Sequence, residues 1–173
     1  RRHPHVMRAC EPPAFSGGLM NLILWRHAEA EDGPVDLKRA LTGRGRKQAE
    51  RMARWLREHL PDRFEVLASP AVRTCQTADA LGVEYRTDRR LLPDSDVAHH
   101  LAAIEWPEGS AKARGTLIVV GHQPTLGRLA ALLMSDHEHD WSIRKGAIWW
   151  LSTRERESAQ QLVLRAVIGP EMT

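Results

Sequence analysis

Thr116-Leu117-Ile118-Val119-Val120-Gly121-His122 is the stretch on which the fold turns. Apart from Leu117, every residue from Thr116 to Val120 is β-branched, and a short run of this kind suits an extended strand. The run lacks polar alternation, so both of its faces must be covered, as they are in parallel strands inside α/β sheets. Upstream, Asn21 to Trp25 is a second short apolar run, and it delivers Arg26-His27 into a loop just as the Thr116 strand delivers Gly121-His122. Phe64 to Ala68 reads as a third strand, and Val83 to Thr87 as a weaker one.

The intervening segments carry helical spacing. Thr42 suits an N-cap, and Ala49, Met52, Ala53, Leu56 and Leu60 recur on one helical face until Pro61 intervenes. Ser69-Pro70 reads as a cap followed by proline at the first helical position, starting a helix that runs to about Leu81. Asp96 to about Glu105 can form another helix before Pro107, and Pro124 to Met134 is helical by propensity. At the end of the chain, Ala147 to Ser152 and Gln161 to Ile168 alternate like two antiparallel strands across a charged turn. Strands and helices alternating in this order predict a three-layer α/β/α fold, with a mostly parallel, doubly wound sheet and a C-terminal antiparallel hairpin.

The 173 residues suffice for one core, and a single domain is expected over 20–173. Residues 1–19 contain prolines and glycines but no period; they read as a disordered leader, since Met20 makes a sensible start. The net charge of +3 comes from acidic and basic residues interleaved along most of the chain, which gives no reason to expect a nucleic-acid partner. Cys10 and Cys75 sit in unrelated contexts, which suits a reduced, cytoplasmic protein. No apolar run approaches the roughly 20 residues that cross a bilayer, so no membrane association is expected.

In doubly wound sheets, ligands bind beyond the carboxyl ends of the strands. Three elements bring cationic or imidazole groups to that edge: Arg26-His27 after the first strand, Arg73 on the helix after the second, and His122 after the Thr116 strand. Gln76 and Thr77 share the helix face of Arg73. This combination fits phosphoryl transfer. Guanidinium forks match phosphate oxygens and stay charged at every relevant pH, while a neutral imidazole can attack phosphorus and later leave it.

Leu24-Trp25-Arg26-His27-Ala28 resembles the Arg-His-Gly signature of the histidine phosphatase superfamily, with Ala in place of Gly. Ser69-Pro70-Ala71-Val72-Arg73-Thr74-Cys75-Gln76-Thr77-Ala78 is similar to its second motif, and Val120-Gly121-His122-Gln123-Pro124 to its third. The Arg-His-Ala-Glu-Ala opening, the Asp36-Leu37-Lys38-Arg39-Ala40-Leu41-Thr42 segment and the Gly-His-Gln-Pro-Thr-Leu string most resemble the SixA phosphohistidine phosphatases. The likeness spans about Asn21 to Ile168 and implies a phosphoglycerate mutase-like fold. It implies His27 as nucleophile, Arg26 and Arg73 as phosphate clamps, His122 as a donor to the transferring group and Arg39 as a further phosphate contact. No metal or organic cofactor is called for. A general acid is not evident; Asp94 and Glu29 are the candidates.

The implied substrate is a histidine-phosphorylated protein, such as a histidine-containing phosphotransfer domain, met by a monomer or weak dimer; phosphate or sulfate ions fit the same pocket. The alternatives are a phosphatase of small phosphomonoesters and a phosphate-binding module with little turnover. Protonation of His27 in acid is expected to lower the rate, and activity unchanged well below pH 5 would count against its role. Elsewhere, Asp136-His137-Glu138-His139-Asp140 reads as a solvated loop rather than a metal site, His99-His100 as helix surface, and Trp141, Trp149 and Trp150 as packing on the terminal hairpin.

Overall fold

The computed structural model describes residues 21–107, 115–156 and 159–173, so the leader assigned to residues 1–19 lies outside the described residues. β1 (Asn21–Arg26), β2 (Glu65–Ala68), β3 (Arg86–Thr87), β4 (Thr116–Gly121), β5 (Ile148–Arg156) and β6 (Ala159–Ile168) form one sheet in the order β3-β2-β4-β1-β5-β6. β4 pairs in parallel with β1 and β2, and β2 with β3, whereas β5 and β6 are antiparallel. The expected mixed sheet with its terminal hairpin is therefore present. β3 is shorter than the run from Val83 suggested, with only two of its residues in the ladder.

Alternate residues of the central strands feed two cores, as the pleat requires. Leu22 and Leu24 of β1 join Leu117 and Val119 of β4 against α3 (Val97–Ile104) and α4 (Thr125–Ser135). Ile23 and Trp25 join Ile118 and Val120 against α1 (Gly43–His59) and α2 (Val72–Asp79) on the opposite face. Trp150 belongs to the second core, while Trp141 and Trp149 pack against the first with ring centroids 6.0 Å apart. No helix among the described residues is long and apolar enough to cross a membrane.

Two local readings are corrected. Ser69-Pro70 does not open α2, which begins at Val72 without a side-chain cap. Ser69 is still tied to the sheet, its N–H bonded to Val120 O at 3.0 Å, and its hydroxyl is engaged by His122. His100 is not on the surface. It lies on the buried stripe Val97, His100, Ala103, Ile104 of α3, and its Nδ1 donates to the backbone oxygen of Asp96 at 2.9 Å. Helical spacing of three and four along that apolar stripe was the available signal.

α1 fixes the loop after β1. The Thr42 hydroxyl oxygen accepts from Gly45 N at 2.9 Å and its hydrogen goes to Glu29 Oε1 at 2.9 Å. Gly45 lies so close to this loop that a Cβ there would sit 1.9 Å from the backbone oxygen of Glu29.

Candidate functional site

The parallel pairing of β1 with β4 places Arg26 opposite Gly121, so the residues just beyond both strands emerge side by side. The rings of His27 and His122 are consequently 5.3 Å apart between centroids and inclined at 55°. The backbone N–H of His27 bonds to Gly121 O at 3.1 Å and its carbonyl accepts from Gly146 N at 3.0 Å, which fixes the loop from both sides.

The ring of His27 lies 2.7 Å through Nδ1 from the carbonyl oxygen of Ala28. A carbonyl can only accept, so Nδ1 carries the proton and Nε2 keeps a free lone pair. Burial pushes the His27 pKa down to about 4, helped by the charges of Arg73, Arg26 and Arg39 and opposed by the bond to Ala28. His122 is pushed further, to about 3, by burial, by the Arg73 charge and by His27. Both rings are neutral near pH 7.

Arg73 is only 4% exposed although its helix is short and amphipathic. Its guanidinium donates through Nη1 to the backbone oxygen of Asp36 at 2.8 Å and through Nη2 to Asp36 Oδ2 at 3.0 Å. Thr77 and Gln76 share the Arg73 face of α2 and tie that helix to the loop after β1. Thr77 Oγ1 accepts from Ala28 N at 3.1 Å while donating to Arg73 O at 2.7 Å, and Gln76 Oε1 accepts from Leu41 N at 2.7 Å. Arg26 donates through Nη1 to Ile143 O at 2.7 Å. Four buried side-chain nitrogens lack a partner among the described residues, and three of them belong to this cluster: Arg26 Nε, Arg73 Nε and His122 Nδ1.

Arg39 bonds through Nε to Glu31 O at 2.8 Å and through Nη1 to Asp36 Oδ1 at 2.9 Å. Its charge still contributes to lowering the His27 pKa. Asp36, which sequence reasoning quoted but gave no role, thus joins Arg39 to Arg73. Hydrogen bonds from Arg39 and then Arg73 hold its carboxyl below the usual range. An acid three residues before Arg39, in a segment with no hydrophobic period, was the only signal for it.

The candidate acids face elsewhere. Glu29 accepts from Thr42 and lies 3.8 Å from Arg44, and Asp94 lines a surface cleft with Arg89, Arg90, Ser95, Asp96 and His99. Among the described residues no three His, Cys, Asp or Glu side chains cluster as metal ligands, and Asp140 pairs with Arg128 at 2.6 Å. A neutral imidazole with a lone pair on Nε2, beside the buried Arg73 and the half-buried Arg26 guanidinium groups, is chemically a nucleophile for an anionic electrophile, and the guanidinium charges offset the charge that develops during transfer.

The family model of the histidine phosphatase superfamily, branch 1, matches residues 22–93. An uncharacterised protein of Picosynechococcus sp. is 32% identical over 139 residues, which cover 75% of this chain and 82% of that protein. Among solved structures, that of a putative phosphohistidine phosphatase SixA from Nakamurella multipartitia is 29% identical, with a TM-score of 0.72 over 89% of this chain and 98% of the other. A protein histidine phosphatase SixA complexed with tungstate is 24% identical, with a TM-score of 0.69 over 87% of this chain and 97% of that one, a likeness of fold.

Proposed function

The chain belongs to the histidine phosphatase superfamily and is a SixA-like phosphatase, and from that premise we propose that it removes phosphate from a histidine-phosphorylated protein through a covalent phospho-His27 intermediate. The carrying observation is the hydrogen bond from His27 Nδ1 to Ala28 O, which leaves the ring's lone pair on Nε2. In the first half-reaction the Nε2 lone pair forms a bond to phosphorus as the P–N bond of the substrate breaks. A substrate imidazole protonated beforehand on its other nitrogen then departs neutral, with no proton needed at the moment of cleavage.

Phosphorylated His27 carries Nδ1–H and Nε2–P and is therefore cationic, a state the Ala28 carbonyl favours. In the second half-reaction water forms the new P–O bond, the N–P electron pair returns to Nε2, and phosphate leaves with the water's proton passed to solvent or phosphate oxygen. Arg26 and Arg73 clamp the phosphoryl oxygens and His122 donates to one of them; Arg39 adds its charge and anchors Asp36. The residues assigned here supply these roles without a metal or organic cofactor. Phosphate or sulfate is the simplest occupant of the pocket, in keeping with the tungstate complex of the SixA relative.

Two features favour phosphohistidine on a protein over a small phosphoester. Glu29 is bonded to Thr42 and Asp94 lines a separate surface cleft, and an alkoxide leaving group needs an acid that imidazole does not. Val35 and Leu37 flank Asp36 with side chains about half exposed, giving the rim an apolar character suited to a protein surface such as a phosphotransfer domain.

The test compares wild type and His27→Ala on a phosphohistidine protein and on an aryl phosphate, with acid-labile label trapped by rapid quench. Fast clearance of phosphohistidine, slow aryl phosphate turnover and label lost in His27→Ala are expected. Equal turnover of the aryl phosphate, collapsing in Asp94→Asn or Glu29→Gln, would instead assign a small phosphomonoester. Two inert substrates and no label would leave a phosphate-binding module.

A further inference from the structure

His122 is neutral and holds one ring proton, so it can donate to a phosphoryl oxygen only if that proton sits on the nitrogen facing the pocket. Its Nε2 lies 2.8 Å from Ser69 Oγ, while its Nδ1 is buried and has no partner among the described residues. Ser69 is fully buried at the end of β2, and its backbone bond to Val120 fixes it beside the strand that delivers His122. We propose that Ser69 sets the tautomer of His122: the serine hydroxyl donates to Nε2, keeping the ring proton on Nδ1 for the transferring phosphoryl group. This rests on reading the site as a phosphoryl pocket.

The hydrogen-bond accounting favours this direction. The Ser69 oxygen already receives a long contact from Ala71 N at 3.4 Å, so its acceptor side has a donor. Among the described residues, His122 Nε2 is the one acceptor bonded to the hydroxyl for its own hydrogen. In the opposite arrangement Nε2–H donates to Ser69, the serine hydrogen has no acceptor, and Nδ1 presents a bare lone pair to anionic oxygens. Two buried polar groups are then unsatisfied, each losing its hydration without a replacing hydrogen bond. His27 shows the same logic with a different partner, since the Ala28 carbonyl dictates its tautomer. Ser69 is thus a positioning residue, acting on the substrate only through His122.

The experiment is nitrogen NMR of the histidine rings in the full chain, labelled with nitrogen-15, both free and saturated with inorganic phosphate or tungstate near pH 7. The expected result is a His122 ring protonated at Nδ1 alone in the wild type, with and without the oxyanion, and a ring no longer confined to Nδ1 in oxyanion-free Ser69→Ala. In Ser69→Ala, kcat on phosphohistidine should fall by up to about a hundred- to a thousand-fold, the range for losing one aligned transition-state donor, with KM changing far less. The acid limb of the rate profile, which belongs to His27, should stay in place. A wild-type ring protonated at Nε2, alone or together with Nδ1, overturns the proposal whether or not the variant folds. So does an unchanged kcat in Ser69→Ala. The ring is read with inorganic oxyanions, so the tautomer result, unlike the kcat, is independent of whether phosphohistidine proves to be the substrate.

Discussion

One hydrogen bond and the burial around it decide how His27 behaves. A histidine of ordinary pKa would lose its nucleophilic form below about pH 6.5. In the folded protein that point lies near 4, because burial and the nearby guanidinium groups disfavour the imidazolium. The acid limb of kcat/KM should accordingly hold down to about pH 5 and then fall tenfold per unit below about pH 4, read on the free enzyme. This corrects the sequence-based expectation, in which activity persisting well below pH 5 counted against His27; a limb near 6.5 is now the result that would do so. Asp36 supplies a second test at this scale. Its carboxylate aligns Arg73 and Arg39 at 3.0 and 2.9 Å, so Asp36→Ala should leave both guanidinium groups misplaced. A fall in kcat/KM of about ten- to a hundred-fold is expected, since small displacements of a clamp are costly; a rate within twofold of wild type would show that Asp36 only closes the loop. The residues that sequence alone singled out, Arg26, His27, Arg73 and His122, stand at strand ends or on a helix beside them. Asp36 escaped because its contact with Arg73 spans 37 residues of sequence and is visible only in three dimensions, while the segment it shares with Arg39 has no hydrophobic period.

The elements that position these residues depend on close approach as much as on propensity. α1 begins against the backbone of Glu29, and the space for that contact exists because residue 45 is glycine. Gly45→Ala would ordinarily strengthen a helix, but here the added carbon meets a carbonyl that must move. Loss of about 1–3 kcal/mol in urea denaturation is expected, the usual cost of overpacking, together with reduced activity as the loop carrying His27 shifts. A gain in stability would show that the loop yields freely. β1 and β4 were legible because continuous apolar runs mean burial on both faces, and α1 because its cap and apolar stripe agree. The start of α2 was not: Ser-Pro is a common helix opening, yet Ser69 is held by β4 and His122, a tertiary claim that outweighs local preference. β3 was readable as extended but not in length, because its short ladder depends on where β2 ends.

Across the whole molecule, the burial that keeps His27 neutral has a cost in acid. His27 and His122 titrate near 4 and 3 in the folded chain, and burial lowers His100 as well, whereas all three return to about 6.5 when unfolded. Below pH 6.5 the unfolded chain therefore binds more protons than the folded one, and unfolding free energy rises with pH across that interval. The stability linked to His27 is fully present above pH 6.5 and is lost as pH falls to about 4; for His122 the loss continues to about 3. At roughly 1.4 kcal/mol per unit, His27 alone accounts for about 3 kcal/mol, an order-of-magnitude figure for so buried a group. Asp36, lowered by its arginine partners, adds to the loss in the carboxylate range. Urea denaturation at pH 7, 5.5 and 4.5 should show progressive destabilisation well before carboxylates titrate, and His122→Gln, which cannot take up a proton, should flatten that slope even if its stability at pH 7 is lower. An equal slope in wild type and His122→Gln would mean that His122 is solvated, and with it the pocket that its unpartnered Nδ1 is taken to line.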